Sequence, residues 1–219
     1  MEEYFSLFHK IPLFKGFKES EMESVLSCLH ARKRSYQKNE IILLAGEAVT
    51  HIGIVLSGKV QIFREDIKGN GTIMTSLEAG SLFAETFAFA NIRTIPVTVS
   101  AATESVILFI DFSRIVSNCS NACVFHVQLI QNMLSILAQK NIMLNQKIEH
   151  LSKRSTRDKL LSYLSEQAVL HRTSEFVIPY NRQELANYLC VDRSAMSNEL
   201  CKLRDEGILS FNKNLFRLL

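Results

Sequence analysis

Residues 121–151 read NACVFHVQLIQNMLSILAQKNIMLNQKIEHL. Written in heptads, Val127, Leu134, Asn141 and Ile148 fall at position a, while Ile130, Leu137, Leu144 and Leu151 fall at position d. Seven of those eight positions are apolar and no Gly or Pro interrupts them, which is the pattern of a helix packed along its length against a partner helix. The one polar seam residue, Asn141, is costly to bury alone. It can hydrogen-bond to its own copy across a two-fold axis, which favours a parallel, in-register dimer. Leu129, Met133, Ile136 and Met143 form a second apolar stripe beside the seam. The helix therefore owes surface to two neighbours, a partner subunit and its own domain. An amphipathic core helix in a monomer is the simpler alternative.

The chain has 219 residues, 47% of them hydrophobic, enough for one sizeable core or two modest ones. Its net charge of +3 is unevenly placed: residues 1–151 carry 14 Lys+Arg and 14 Asp+Glu, whereas residues 152–219 carry 11 and 8. The surplus in the last third hints at a polyanionic partner there. The start, Met1-Glu2-Glu3-Tyr4, shows neither a basic n-region nor an apolar h-region, and no apolar run approaches bilayer length. These features predict a cytoplasmic protein without a membrane partner. Five Cys at 28, 119, 123, 190 and 201, an odd and scattered set, fit reduced thiols better than a disulfide framework.

Upstream of the seam, Ser20-x-x-Glu23 predicts a capping box opening a short helix through Val25, Leu26 and Leu29. From Arg32 to Ile110 short β-rich runs alternate with Gly-centred turns: 40–44, 52–56, 60–64, 73–77, 97–101 and 105–110. Such spacing predicts an antiparallel sandwich or barrel, with Gly69-Asn70-Gly71 as a hairpin turn. Asp111 ends this texture and can cap a short helix. After the basic junction Ser152-Lys153-Arg154-Ser155, a helical pattern runs through Leu160, Leu161, Leu164 and Val169, and a short strand, 176–178, stops at Pro179. Two brief helices, 182–189 and 193–203, are separated only by Cys190-Val191-Asp192. They must meet at a steep angle, as in a helix-turn-helix, with Asp192 as N-cap of the second. Residues 208–211 and 215–218 can then pair as a hairpin wing.

At this point the chain resembles the CRP/FNR (cyclic-AMP receptor protein / FNR) family of bacterial transcription regulators over essentially its whole length. The motifs that carry the resemblance are the glycine ladder Gly46, Gly58, Gly80, the Phe83-Ala84-Glu85 similar to the family's F-G-E, and Arg182-Gln183-Glu184-Leu185-Ala186 through Val191-Asp192-Arg193-Ser194. The resemblance implies an α+β fold in three parts. Residues 1–117 would form an effector-sensing, cyclic-nucleotide-binding-like β-roll (jelly roll) with N-terminal helices, 118–151 a dimerisation helix, and 152–219 a winged helix-turn-helix. It implies an effector-responsive, sequence-specific regulator that acts as a homodimer on double-stranded DNA with an inverted-repeat site, with RNA polymerase as a further partner. In the head, Leu185, Leu189, Val191, Met196 and Leu200 would hold the two helices together, leaving Arg193, Ser194, Ser197 and Asn198 for base edges. Asn181, Arg182 and Gln183 match family positions that grip the DNA backbone, and Lys202 could add a phosphate contact. A small packing unit without DNA contact is the bland alternative.

The expected effector pocket comprises Phe83, Ala84, Glu85, Thr86, Arg93, Ile95 and Pro96. Family members that bind cyclic AMP follow the Glu, about ten residues on, with an Arg-Ser pair for the cyclic phosphate. Glu85 stands in the Glu position, but Ile95-Pro96 stands where Arg-Ser is expected. Neither can neutralise a phosphate, and losing a charge-assisted contact to a monoanion costs several kcal/mol. Cyclic AMP is therefore not the expected effector, unless Arg93-Thr94 substitutes from two residues upstream. Phe83, Phe87, Phe89, Ile92 and Ile95 leave open an apolar or aromatic effector, with ordinary β-roll packing as the alternative.

Cys119, Cys123 and His126 could be metal ligands or redox thiols, although packing and capping roles are the default and no metal is expected. Two other readings are a cyclic-nucleotide-type regulatory module for a protein partner, which the basic helix-turn-helix argues against, and a thiol- or metal-based redox sensor regulator. No Ser/His/Asp, Cys/His or Walker-type constellation supports an enzyme using a reactive Cys, so no enzyme is predicted.

Overall fold

The computed structural model describes residues 2–65, 71–90, 92, 94–116 and 124–219. Contacts divide the chain into two compact units, Met1–Ala138 and Gln139–Leu219, and the boundary falls inside the long helix Val124–Ser152.

The first unit opens with helices α1 (Phe5–Phe8) and α2 (Glu19–Cys28) around a 3-10 turn at Pro12–Phe14. Helix α2 starts at Lys18, whose backbone N–H donates to the Glu21 carboxylate at 2.8 Å. The predicted box at Ser20 is thus two residues too late. Ser20 and Glu23 both face solvent, while Met22, Val25, Leu26 and Leu29 are buried, so the apolar face set the start of the helix.

Among the described residues, eight strands follow in two antiparallel sheets. One runs in the order β1 (Arg32–Tyr36), β8 (Ser105–Asp111), β3 (His51–Ser57), β6 (Leu82–Phe83); the other β2 (Ile41–Leu43), β7 (Thr98–Ala101), β4 (Lys59–Glu65), β5 (Gly71–Glu78). The β4–β5 hairpin pairs Glu65 with Gly71, and its predicted turn residues Gly69 and Asn70 lie outside the described residues. Period-two alternation gives the central strand β3 two buried faces. Val55 joins Val60, Phe83, Val99 and Ile107 inside the roll. Ile52, Ile54 and Leu56 face the other way, onto Phe8, Phe14, Val25 and the long helix. Gly53 is required on the inner face, because a Cβ there would stand 2.0 Å from the Phe83 ring. Gly58 turns the chain at φ +82, where a Cβ would meet the Glu104 carbonyl at 2.2 Å.

Strands β1 and β6 and the short helix α3 (Glu85–Phe89) were not foreseen. Arg32-Lys33-Arg34-Ser35 has no apolar alternation, and it becomes a strand only because the ladder to β8 satisfies its backbone from Arg32↔Phe109 to Tyr36↔Ser105. Asp111 does cap α4 (Phe112–Val116) as expected, accepting from the Ser113 N–H at 2.9 Å.

Helix α5 is Val124–Ser152. Of the expected second stripe, Leu129, Met133 and Ile136 are buried in the first unit's core, whereas Met143, one turn or more beyond the last core contact, is exposed. Asn132 lies on the same face and its amide donates to the carbonyls of Leu13 at 2.9 Å and Lys15 at 2.8 Å. The seam face is different: Val127, Leu134, Leu144 and Ile148 are each about three-fifths exposed.

The second unit contains α6 (Thr156–His171), capped by Ser155, then β9 (Glu175–Val177), α7 (Arg182–Leu189), α8 (Arg193–Asp205), β10 (Leu209–Asn212) and β11 (Leu215–Leu218). The three strands form one antiparallel sheet in the order β10-β11-β9. Leu160, Leu164, Phe176, Leu185, Leu189, Met196, Leu200 and Phe216 make its core, with Val191 packed at the edge. Among the described residues no helix is long and apolar enough to cross a membrane.

Candidate DNA interface and effector pocket

Helices α7 and α8 are set by their caps. Asn181 accepts from the Glu184 N–H at 2.9 Å while Glu184 accepts from the Asn181 N–H at 2.8 Å. Asp192 accepts from the Ala195 N–H at 2.8 Å. Between the helices Cys190 adopts a left-handed conformation, φ 51, which turns the chain within three residues. Met196, Leu200 and Leu203 face inward, so by helical periodicity Ser194 and Asn198 stand exposed on the opposite face, with Ser197 half-buried beside them, while Arg193 is exposed as the first residue of the helix, one turn before Met196. Lys202 lies further along, exposed, with its ammonium 3.4 Å from Glu199.

The predicted backbone-gripping residues divide. Gln183 is exposed and donates to Asn187 at 3.0 Å. The Asn181 side-chain oxygen is committed to its cap. Arg182 is half-buried, its guanidinium 4.9 Å from the centroids of both Phe211 and Phe216. Burial holds its pKa below the ordinary value, yet a guanidinium remains charged. Arg182 thus pins α7 to the wing by cation–π stacking, a role the sequence did not reveal.

Two further clusters escaped the sequence reading. Arg157, at the start of α6, donates to Glu206 through both terminal nitrogens and lies 3.4 Å from Glu199. This clasp raises the Arg157 pKa and lowers that of Glu206, and it ties the middle and the C-terminal end of α8 to α6. His150, in the last turn of α5, is 2% exposed, with Nδ1 2.8 Å from Ser162 Oγ and Nε2 2.8 Å from Glu166 Oε2. Tyr163 packs edge-on to it and Tyr188 stacks on Tyr180; burial raises the pKa of all three tyrosines. Partners 12 and 16 residues away along the chain leave no local spacing to signal this junction.

In the first unit, Phe83, Ala84 and Ile95 are buried in the roll, Glu85 is 3% exposed, and Thr86 Oγ1 donates to Glu85 Oε1 at 3.1 Å. Ala84 adopts φ 65 although it is not a glycine, a left-handed conformation that costs an L-residue roughly 1 kcal/mol. Ile95 is locked in by its N–H to the Glu47 carbonyl at 2.9 Å, and Pro96 is exposed. Arg93 lies outside the described residues. Of the aromatic and aliphatic candidates, Phe87 packs on the roll core, Phe89 packs instead on Phe112, and Ile92 is exposed.

A separate cleft of about 340 Å³ is lined by Arg32, Arg34 and Tyr36 of β1, Ile42 and Leu43 of β2, residues 47–51, and Phe109. It shares no residue with the expected effector pocket, although Phe109 touches both Tyr36 and Phe83 at 6.4 Å between centroids. Its lining brings two arginines and two aromatic rings together with Glu47 and His51. Of the proposed metal ligands, Cys119 and Cys123 lie outside the described residues, and among the described residues no three His, Cys, Asp or Glu side chains gather to hold a metal.

Residues 33–120 match the cyclic nucleotide-binding domain and residues 158–219 the Crp-like helix-turn-helix domain. Among solved structures, the Thermus thermophilus catabolite activator protein is similar at TM-score 0.55 and 21% identity, over 95% of this chain and 93% of that one. The c-di-GMP responsive global regulator CLP of Xanthomonas campestris is similar at 0.57 and 18%, over 92% and 99%. DNR of Pseudomonas aeruginosa is similar at 0.51 and 18%, over 100% and 95%. At these identities the likeness concerns the fold. No curated protein sequence matches the chain.

Proposed function

The chain belongs to the CRP/FNR family of transcription regulators, and from that premise we propose that it is an effector-responsive homodimer reading an inverted-repeat DNA site. The observation that carries the reading is the pairing of two unpartnered faces: the apolar seam of α5 and the polar face of α8 that holds Arg193, Ser194 and Asn198. A contiguous exposed apolar stripe marks an interaction surface, and two copies joined along it would present two recognition helices, each to a major groove. Half-sites would then lie roughly 34 Å apart. The functional division proposed is residues 1–117 for sensing, 118–151 for dimerisation and 152–219 for DNA, without enzymatic activity, in the cytoplasm and with RNA polymerase as the downstream partner.

Within each half-site Arg193 would read guanine O6 and N7, and Asn198 the N6 and N7 of adenine. The cyclic-AMP-binding branch carries Glu and Arg at the positions of Ser194 and Asn198, so the preferred site would differ from theirs. Selection from a random DNA library tests this directly: wild type should favour A·T where Asn198→Arg favours G·C. Identical preferred sites for both proteins would show that Asn198 reads no base. The effector is a small molecule other than cyclic AMP, because Ile95 and Pro96 offer no charge. Cyclic AMP at about a hundred micromolar should leave the melting temperature unchanged, and a rise of several degrees that Arg93→Ala removes would assign the phosphate contact to Arg93.

A further inference from the structure

The structure brings Cys28, the last residue of α2, against His126 in the first turn of α5, 98 residues away, with Sγ 3.7 Å from Nε2. His126 is 8% exposed, and its other ring nitrogen, Nδ1, is buried with no hydrogen-bond partner among the described residues. Cys28 itself is half-buried. Nothing in the DNA-binding account uses either group.

The orphaned nitrogen decides the tautomer. A buried N–H without an acceptor is among the rarest and costliest defects in a protein interior, whereas a bare ring nitrogen costs less. The ring proton is therefore placed on Nε2, whose partner among the described residues is the Cys28 sulfur. An N–H aimed at a sulfur stabilises thiolate over thiol, and the thiolate is the nucleophile. Of the exposed cysteines, Cys190 donates its own S–H to the Asn187 carbonyl, whereas Cys201 lies in the field of the Arg182 and Arg204 guanidiniums but has no imidazole against it.

We propose that Cys28 is a histidine-assisted reactive thiol and that its reaction is oxidation by a hydroperoxide. The Cys28 thiolate attacks the distal oxygen, the O–O bond breaks, and that oxygen stays on sulfur as sulfenate. For hydrogen peroxide the leaving hydroxide takes up the hydroxyl proton and departs as water. Sulfur is oxidised by two electrons and the peroxide is reduced by two.

The test uses the full chain, hydrogen peroxide and a cyclic 1,3-dione that captures sulfenic acid, read by mass spectrometry. Three tryptic peptides, 19–32, 183–193 and 194–202, each carry one cysteine: Cys28, Cys190 and Cys201. Capture at Cys28 should exceed that at either exposed cysteine by about tenfold. His126→Phe, which keeps a ring but removes the donor, should bring Cys28 down to the level of the other two while their own capture stays constant. His126→Gln, which keeps an N–H, should retain part of the advantage. Capture ordered by exposure alone, with Cys28 lowest in the wild type, would overturn the proposal. So would capture at Cys28 that is unchanged by His126→Phe.

Discussion

Helix α5 and helix α8 each carry one face that the chain covers and one that it does not. On α5, Leu129, Met133 and Ile136 are buried in the first unit's core, while Val127, Leu134, Leu144 and Ile148 stand in solvent. On α8, Met196, Leu200 and Leu203 are buried, while Arg193, Ser194 and Asn198 are exposed. The covered faces fix the fold. The uncovered ones differ in chemistry, apolar on α5 and polar or cationic on α8, and each asks for a partner of matching kind: a second copy of the apolar stripe, and a polyanion.

Substitutions on the two kinds of face should separate stability from function. The largest effect is expected on the covered side, where Leu129→Ala or Leu200→Ala should cost about 2–5 kcal/mol in urea unfolding. The matching truncation Leu134→Ala should leave the stability of the dilute, dissociated chain within about 0.5 kcal/mol. Equal costs on both faces would break the comparison. Next comes Arg193→Ala, which should weaken the preferred DNA site by about 1–3 kcal/mol with the melting temperature unchanged. Lys202→Ala should instead weaken all sequences alike and flatten the salt dependence by about one unit of slope.

Ala84→Gly sharpens the comparison from within a covered region, since relief of the left-handed strain should raise stability by roughly 1 kcal/mol. A loss would mean that the Ala84 methyl contributes more than the strain costs. The smallest effect concerns Glu206, whose folded pKa is held below its ordinary 4.5 by hydrogen bonds from Arg157. A depressed folded pKa contributes stability above the unfolded value that is lost as pH falls through the folded one. Melting curves of wild type and Glu206→Gln should therefore converge as pH drops below about 4.5.

Much of this was legible in the sequence because it rests on local periodicity and caps. The heptads located α5, and Asp192 and Asp111 both cap where their spacing suggested. What escaped depends on long-range pairing. Strand β1 has no apolar alternation and exists through its ladder to β8. The stack of Arg182 on Phe211 and Phe216 joins it to rings nearly thirty residues or more away along the chain. Leu137 was assigned to the free seam but packs partly on the first unit's core, and Asn141 already accepts from Asn145 at 2.7 Å within its own helix. The Cys28–His126 contact could not be read from spacing either, since the candidate set Cys119, Cys123 and His126 was drawn from neighbours in sequence.

The central claim is that the uncovered face of α5 joins two copies of the chain. Sedimentation equilibrium of the wild type and of the double variant Leu134→Glu/Leu144→Glu tests it most directly, since carboxylates on that seam would face their own copies across the axis. The account predicts a dimer for the wild type at micromolar concentration and a folded monomer for the variant, with unchanged secondary structure. A wild-type chain that sediments as a monomer at every concentration, or a variant that remains dimeric, would contradict it.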